Sequence, residues 1–262
     1  AGCGMTISVS TLPNGMRVVT EEMTQVETVS CGVWVGTGAR NETADINGVS
    51  HLLEHMAFKG TVRRNALDIV EEIESVGGHL NAYTSREQTA YYAKVLKEDT
   101  DLALNIIADI LQHSTFESKE LERERTVIIQ EIGQAHDTPD DRVFDHFQMA
   151  AFPDQALGRP VLGCIETVGN MPRETVMGYM RAGYAGDRMV LSAAGNLDHD
   201  EIVAMAERSF DSIPGIGHFE MEPGTYVGGA HLEDRDLEQV HLLLGFPGVS
   251  YENDQFYATS VM

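Results

Sequence analysis

Cysteine is scarce in this chain: Cys3, Cys31 and Cys164 are the only three, and no C-x-x-C pair occurs. A disulfide framework and a thiolate metal site are therefore excluded, and a reducing, cytoplasmic location is expected. Positive charge is scarce too. Eighteen Lys and Arg stand against 41 Asp and Glu, a formal charge of −23, which argues against nucleic acid as a partner and favours basic ligands or plain solubility. No apolar run approaches the roughly 20 residues of a membrane span, and no signal-like segment follows Met5 in residues 6–22. Neither a membrane partner nor secretion is expected. Residues 1–4, Ala-Gly-Cys-Gly, read as a cloning remnant. Low-complexity sequence is nearly absent as well, and 42% apolar composition marks a globular chain of one large domain or two small ones.

What is present is organised around His51-Leu52-Leu53-Glu54-His55. His51 and His55 are one helical turn apart, so their rings leave the same face of a helix and can converge on one cation. Glu54 falls on that face too. Leu52, Leu53, Met56, Ala57 and Phe58 surround them, making a polar notch in an otherwise buried helix. Neutral imidazoles at this spacing suit Zn²⁺, and the adjacent carboxylate, too crowded to ligate well, is free to take a proton from a water the metal activates. This is the H-x-x-E-H order of the inverted zinc peptidases. Helix-surface His pairs also occur by chance, so the motif alone leaves a purely structural role open.

A zinc with two protein ligands needs a third. The stretch 117–134 reads as a helix in which Leu121, Glu124, Ile128 and Glu131 share one face. Glu131 is flanked by Ile128, Ile129 and Ile132, where a carboxylate is costly to bury without a positive partner. Arg123 and Arg125 are alternative partners, but they sit off its face. Glu124 lies in the run Glu-Leu-Glu-Arg-Glu-Arg, where a solvated carboxylate is as natural as a functional one.

Four segments, HLLEHMAFKGT at 51–61, NAYTSREQTAYYAKVL at 81–96, ERERTVIIQEI at 122–132 and ALGRPVLG at 156–163, appear in that order. Together they resemble the M16 (pitrilysin or insulinase) metallopeptidases, and within them the short-chain branch of the mitochondrial processing peptidase β subunit and its bacterial relatives. The resemblance implies an α+β fold, a mainly antiparallel sheet covered by helices, followed by the start of a second homologous domain. It implies one Zn²⁺ per chain on His51, His55 and Glu131, since the interval from His55 to Glu131 matches the family's. It implies Glu54 as general base, with Glu124 steering a ligand from behind.

The same resemblance implies that peptide substrate adds itself as an extra strand along 79–96, touching Asn81 and Ala82. Phe58 matches the aromatic wall of the pocket beyond the scissile bond, although an ordinary core Phe reads equally well. Asp141 and Asp145 match acidic residues that face a basic substrate side chain, although a solvated acidic face explains them as well. Extended peptides or precursor segments are the implied substrates. A homodimer or a heterodimer with an M16-like partner is implied for the full-length form.

Local pattern supplies the remaining elements. Residues 17–20 and 28–35 read as strands, the second ending in Gly36-Thr37-Gly38. Ser50 is a candidate cap for the metal helix, and Asn65 for a helix over 66–76 ended by Gly77-Gly78. Helices are expected over 100–112, 140–152, 174–184 and 201–210, a buried strand over 189–195, and a break at Thr138-Pro139. A Gly- and Pro-rich linker at 213–229 precedes an apolar strand at 239–246. These divide the chain into a metal-binding domain at 5–212, a linker, and a second domain beginning at 230–262. The second domain stops almost at once, so the chain reads as an N-terminal fragment of a two-domain enzyme, inactive or weakly active alone. Two other functions stay open: a non-catalytic M16-type scaffold subunit, which would normally have lost motif residues, and a zinc-stabilised peptide-binding module, which would need a fourth protein ligand.

Overall fold

The computed structural model describes residues 7–219 and 222–261; residues 1–4, read above as a cloning remnant, lie outside them, as do 5, 6, 220, 221 and 262. Six strands form one sheet: β1 (Ile7–Thr11), β2 (Arg17–Glu22), β3 (Thr28–Val35), β4 (His79–Thr84), β5 (Thr89–Leu96) and β6 (Met189–Gly195). The order across it is β1-β2-β6-β3-β5-β4. Only β2 and β6 run parallel. The expected α+β fold, a mainly antiparallel sheet with helices, is what the chain adopts.

Alternation explains which face is covered. In β3, Val29, Cys31, Val33 and Val35 are buried, and in β5 Tyr91, Ala93 and Val95 share that face, as strand geometry requires of residues two apart. Helices α1 (Val49–Ala57), α2 (Ala66–Ser75), α3 (Thr100–His113), α4 (Ser118–Asp137), α5 (Pro139–Ala151), α6 (Ile165–Asn170), α7 (Arg173–Gly183) and α8 (His199–Ser209) fill out the body of the fold. The apolar α3, with Leu104, Ile106, Ile107 and Ile110 fully buried, lies across β3 and β5. Each such side chain contributes roughly 2 kcal/mol by leaving water. α1 and α2 pack on β4, and α4 packs on α1. Among the described residues β4 has only β5 as a strand neighbour, so its other side is a free edge, and α1 packs against the strand.

Most locally signalled elements form, with Asn65 capping α2 through Leu67 and Asp68 and Pro139 opening α5 after the Thr138 break. Segment 79–96, which reads as one or two strands, is two, joined by a turn in which Ser85 N–H donates to Gln88 O. Two expectations need correction, the Ser50 cap and the strand at 239–246. Ser50 does not cap α1; Gly48 does, at φ 98°, and Ser50 lies inside the helix. β1 and α6 were not signalled, being short segments without clear periodicity. Residues 239–246 form no strand: among the described residues nothing pairs with them, and Val240, Leu242, Leu244 and Phe246 are exposed. A short helix, α9 (Phe256–Val261), follows. No described helix is long and apolar enough to cross a membrane.

Candidate metal centre

α1 is held at its start by a buried carboxylate. Glu42 accepts hydrogen bonds from the Gly48 and Ser50 backbone N–H groups and from Asn47 Nδ2, all at 2.8 Å. It satisfies first-turn donors that the glycine cap leaves open. Burial pushes the Glu42 carboxyl up, while those hydrogen bonds favour its anion. Ser50 Oγ and Tyr179 Oη lie 2.8 Å apart, and Tyr179 donates to Gly38 O. Gly48 is obligatory here: its φ is left-handed, and a Cβ would meet Val168 at 2.8 Å and Leu162 O at 2.9 Å. The ALGRPVLG loop therefore serves as the wall against which α1 begins.

From that start α1 brings His51 and His55 together, their ring centroids 4.6 Å apart. α4 supplies Glu131. Its Oε2 lies 3.8 Å from His51 Nε2 and 3.7 Å from His55 Nε2, and one ligand atom from each residue lies within 4.8 Å of the others. Tetrahedral zinc with bonds of roughly 2.0–2.2 Å holds its ligands about 3.3–3.6 Å apart. Two nitrogens and one carboxylate oxygen at this spacing therefore fit zinc after a small closure. Burial, with the His55 imidazole beside it, pushes His51 down to about 4, so its ring is neutral near pH 7 and ready to ligate.

Glu124 is nearly buried at 6% exposure, which removes the solvated alternative. His55 Nδ1 donates to Glu124 Oε2 at 3.0 Å, and Lys59 Nζ lies 2.9 Å from Oε1. The arrangement leaves His55 Nε2 as the acceptor facing Glu131. Arg125 pairs with Glu122 instead of Glu131.

Glu54 stands on the same helix with one hydrogen bond among the described residues: Thr84 Oγ1 donates to its Oε2 at 2.5 Å. Burial pushes its carboxyl up, Thr84 and His55 oppose that, and Glu131 adds to the rise. Ala82 is half-buried against the helices, and Asn81 is exposed on the opposite face of β4. Phe58 ends α1 and its ring lies 6.2 Å from that of Tyr91. The two acidic candidates on α5 differ. Asp145 is engaged by Arg86 at 3.0 Å, whereas the Asp141 side chain has no partner among the described residues.

Sequence reasoning passed over Lys59 and Thr84. Lys59 sits four residues after His55, and Thr84 two after Ala82, so helical and strand periods carried a signal for each.

Two imidazoles one helical turn apart, met by a carboxylate from a second helix and attended by a separate glutamate, form the constellation of the inverted zinc peptidases. The chain belongs to the M16 peptidase family: residues 17–164 match the family described as "Insulinase (Peptidase family M16)", and residues 170–262 match "Peptidase M16 inactive domain". It is 43% identical over 256 residues to an "Uncharacterized zinc protease" of Rickettsia felis, covering 97% of this chain and 62% of that one. It is 41% identical to "Mitochondrial-processing peptidase subunit beta" of Lentinula edodes, covering 97% of this chain and 56% of that one. The chain thus spans roughly three-fifths of the length of these relatives. Among solved structures, a protease from Helicobacter pylori superposes with a TM-score of 0.77 at 20% identity over 85% of this chain and 54% of its own. The first half of the periplasmic protease PqqL from Escherichia coli gives 0.75 at 24% identity, over 86% and 50%. These two show the fold.

Proposed function

We propose that the protein carrying this chain is a zinc-dependent endopeptidase that cuts extended peptides or precursor segments. The observation behind it is the convergence of His51, His55 and Glu131 beside an otherwise uncommitted Glu54. One zinc is held by those three residues. When bound, it polarises a peptide carbonyl and brings the pKa of a water toward neutrality. Glu54 takes the proton from the attacking water and returns it to the leaving amine. Glu124 fixes the His55 tautomer, and Lys59 neutralises the charge Glu124 carries.

The peptide joins the free edge of β4, where main-chain hydrogen bonds give affinity and side-chain pockets give selection. Asn81 and Ala82 contact it, and Phe58 walls the pocket beyond the cut. Asp141 and Asp145 attract a basic side chain of the substrate, which at Asp145 has to compete with Arg86. We take 5–212 as the metal-binding domain, 213–229 as linker and 230–262 as the start of a second homologous domain. The working form pairs with a second copy or an M16-like partner in the cytoplasm, and the piece described here has little activity alone. The Rickettsia relative's name, a zinc protease, supports the metal, and the Lentinula relative's name supports a processing role.

The test is elemental analysis of purified protein beside His55→Ala, with peptide hydrolysis followed in parallel for Glu54→Gln. About one zinc in the parent, little in His55→Ala, and bound zinc without cleavage in Glu54→Gln is the expected pattern. Absence of zinc after reconstitution sinks the proposal and returns the scaffold reading to first place.

A further inference from the structure

Thr84 is the last residue of the edge strand, and its hydroxyl is the single described donor to Glu54. Three facts make that contact more than incidental. First, the Thr84 hydroxyl donates to Glu54 Oε2, and no other donor among the described residues reaches that carboxylate. Second, Thr84 is anchored independently of Glu54: it pairs in register with Thr89 of β5, and the turn beyond it is tied by Ser85 N–H and Ser85 Oγ, both donating to Gln88 O. Third, Ala82 lies two residues earlier on the same side of β4, roughly 7 Å along the strand. The strand on which substrate is expected to lie is therefore bonded directly to the group expected to move the proton.

We propose that Thr84 is a positioning residue for peptide cleavage: its hydroxyl holds Glu54 Oε2, leaves Oε1 free for the attacking water, and ties the base to the docking strand. This rests on the reading of Glu54 as general base. A Glu side chain has three rotatable torsions, and without a tether its carboxylate samples rotamers in which neither oxygen faces the water. Holding one oxygen removes that freedom before substrate arrives, which is how a modest hydrogen bond becomes a rate effect. The bond also registers the base against the strand, so a peptide aligned along β4 is aligned with Glu54. The contribution falls on the chemical step, since substrate affinity comes from the strand edge itself.

Two substitutions separate this from a packing role. Thr84→Val keeps shape and strand preference but removes the donor; Thr84→Ser keeps the donor and loses the methyl group. Peptide hydrolysis is measured with protein at the full length of its relatives. Expected are a fall in kcat of about ten-fold or more for Thr84→Val with KM little changed, recovery of most of that loss in Thr84→Ser, and unchanged zinc content in both. A Val variant as fast as the parent, or a Ser variant slower than the Val one, overturns the proposal. A readout independent of activity accompanies it: unfolding of the metal-free protein in a double-mutant cycle of Thr84→Val with Glu54→Ala. Non-additivity of several-fold in the unfolding constant is expected, and additivity overturns the contact. If Glu54→Gln leaves cleavage intact, the general-base reading has failed and Thr84 loses its proposed role with it; the cycle then still reports whether the two side chains are bonded.

Discussion

His55 Nδ1 and Glu124 Oε2 lie 3.0 Å apart, and this bond decides which ring nitrogen His55 presents to Glu131. A carboxylate at Nδ1 puts the proton there, which leaves Nε2 with a free lone pair for a metal. Lys59 lies 2.9 Å from the other oxygen, so each oxygen of the nearly buried Glu124 has a partner. Glu124→Ala is therefore expected to weaken zinc binding about 10- to 100-fold, read by competition with a chelator of known affinity. Unchanged affinity would mean that the tautomer is set elsewhere.

In the proposed docking on the β4 edge, main-chain groups of the peptide carry the affinity, so side-chain changes and backbone changes should separate. A peptide N-methylated at a residue paired with the strand is expected to bind about ten-fold more weakly per lost bond, whereas a matched side-chain substitution at the same residue shifts affinity less. Inhibition constants against a cleavable reporter peptide measure both. Equal sensitivity to the two changes would remove strand addition from the account.

Gly48 starts α1 at φ 98° with no room for a Cβ. Gly48→Ala should cost about 2 kcal/mol of stability from strain and from displacement of the 160–163 loop. Because the same shift moves His51, zinc affinity should fall with it. Thermal unfolding with and without zinc separates the two effects.

Asp109 is fully buried and accepts from Thr61 Oγ1 at 2.7 Å, Arg64 at 2.9 Å and Arg63 at 2.9 and 3.0 Å, clamping the segment that follows α1. Burial alone raises its carboxyl, but the hydrogen bonds from Thr61, Arg64 and Arg63 outweigh it and hold the group below its ordinary value of 3.8. The folded state thus binds that proton more weakly than the unfolded chain does. Its stabilisation is present above the ordinary carboxylate value and is lost as pH falls through the lower, folded one. Asp109→Asn, which leaves two arginines without their anion, should cost about 3 kcal/mol near neutrality. Urea unfolding should show that gap narrowing below about pH 4.

Some of the site was legible because it is local. The four-residue interval from His51 to His55 places both rings on one helix face whatever the rest of the chain does, and helical period alone put Leu121, Glu124, Ile128 and Glu131 on one side of α4. Buried Leu121, Glu124 and Ile128 bear that out. The alternating apolar residues of β3 likewise settled both its bounds and its buried face. By itself, then, the sequence determined the elements with a clear period, the faces they bury and the chemistry each face offers, since these follow from periods of 3.6 and 2 along one stretch of backbone.

Beyond the reach of local pattern lay the relations between stretches; the meeting of His51 and His55 with Glu131 came from the family resemblance, not from any period in the chain. That Glu124 is buried against His55 and Lys59 instead of solvated, that Asp145 is held by Arg86, and that Thr84 reaches Glu54 all depend on how α4, α5 and β4 pack around α1. The apolar stretch 239–246 shows the same limit from the other side: its pattern is that of a strand, but a strand exists only where a neighbour completes its hydrogen bonds, and none does so among the described residues. Only the tertiary structure decided these, because the free energy of a side-chain contact depends on the distance and burial of two groups whose meeting no local period encodes.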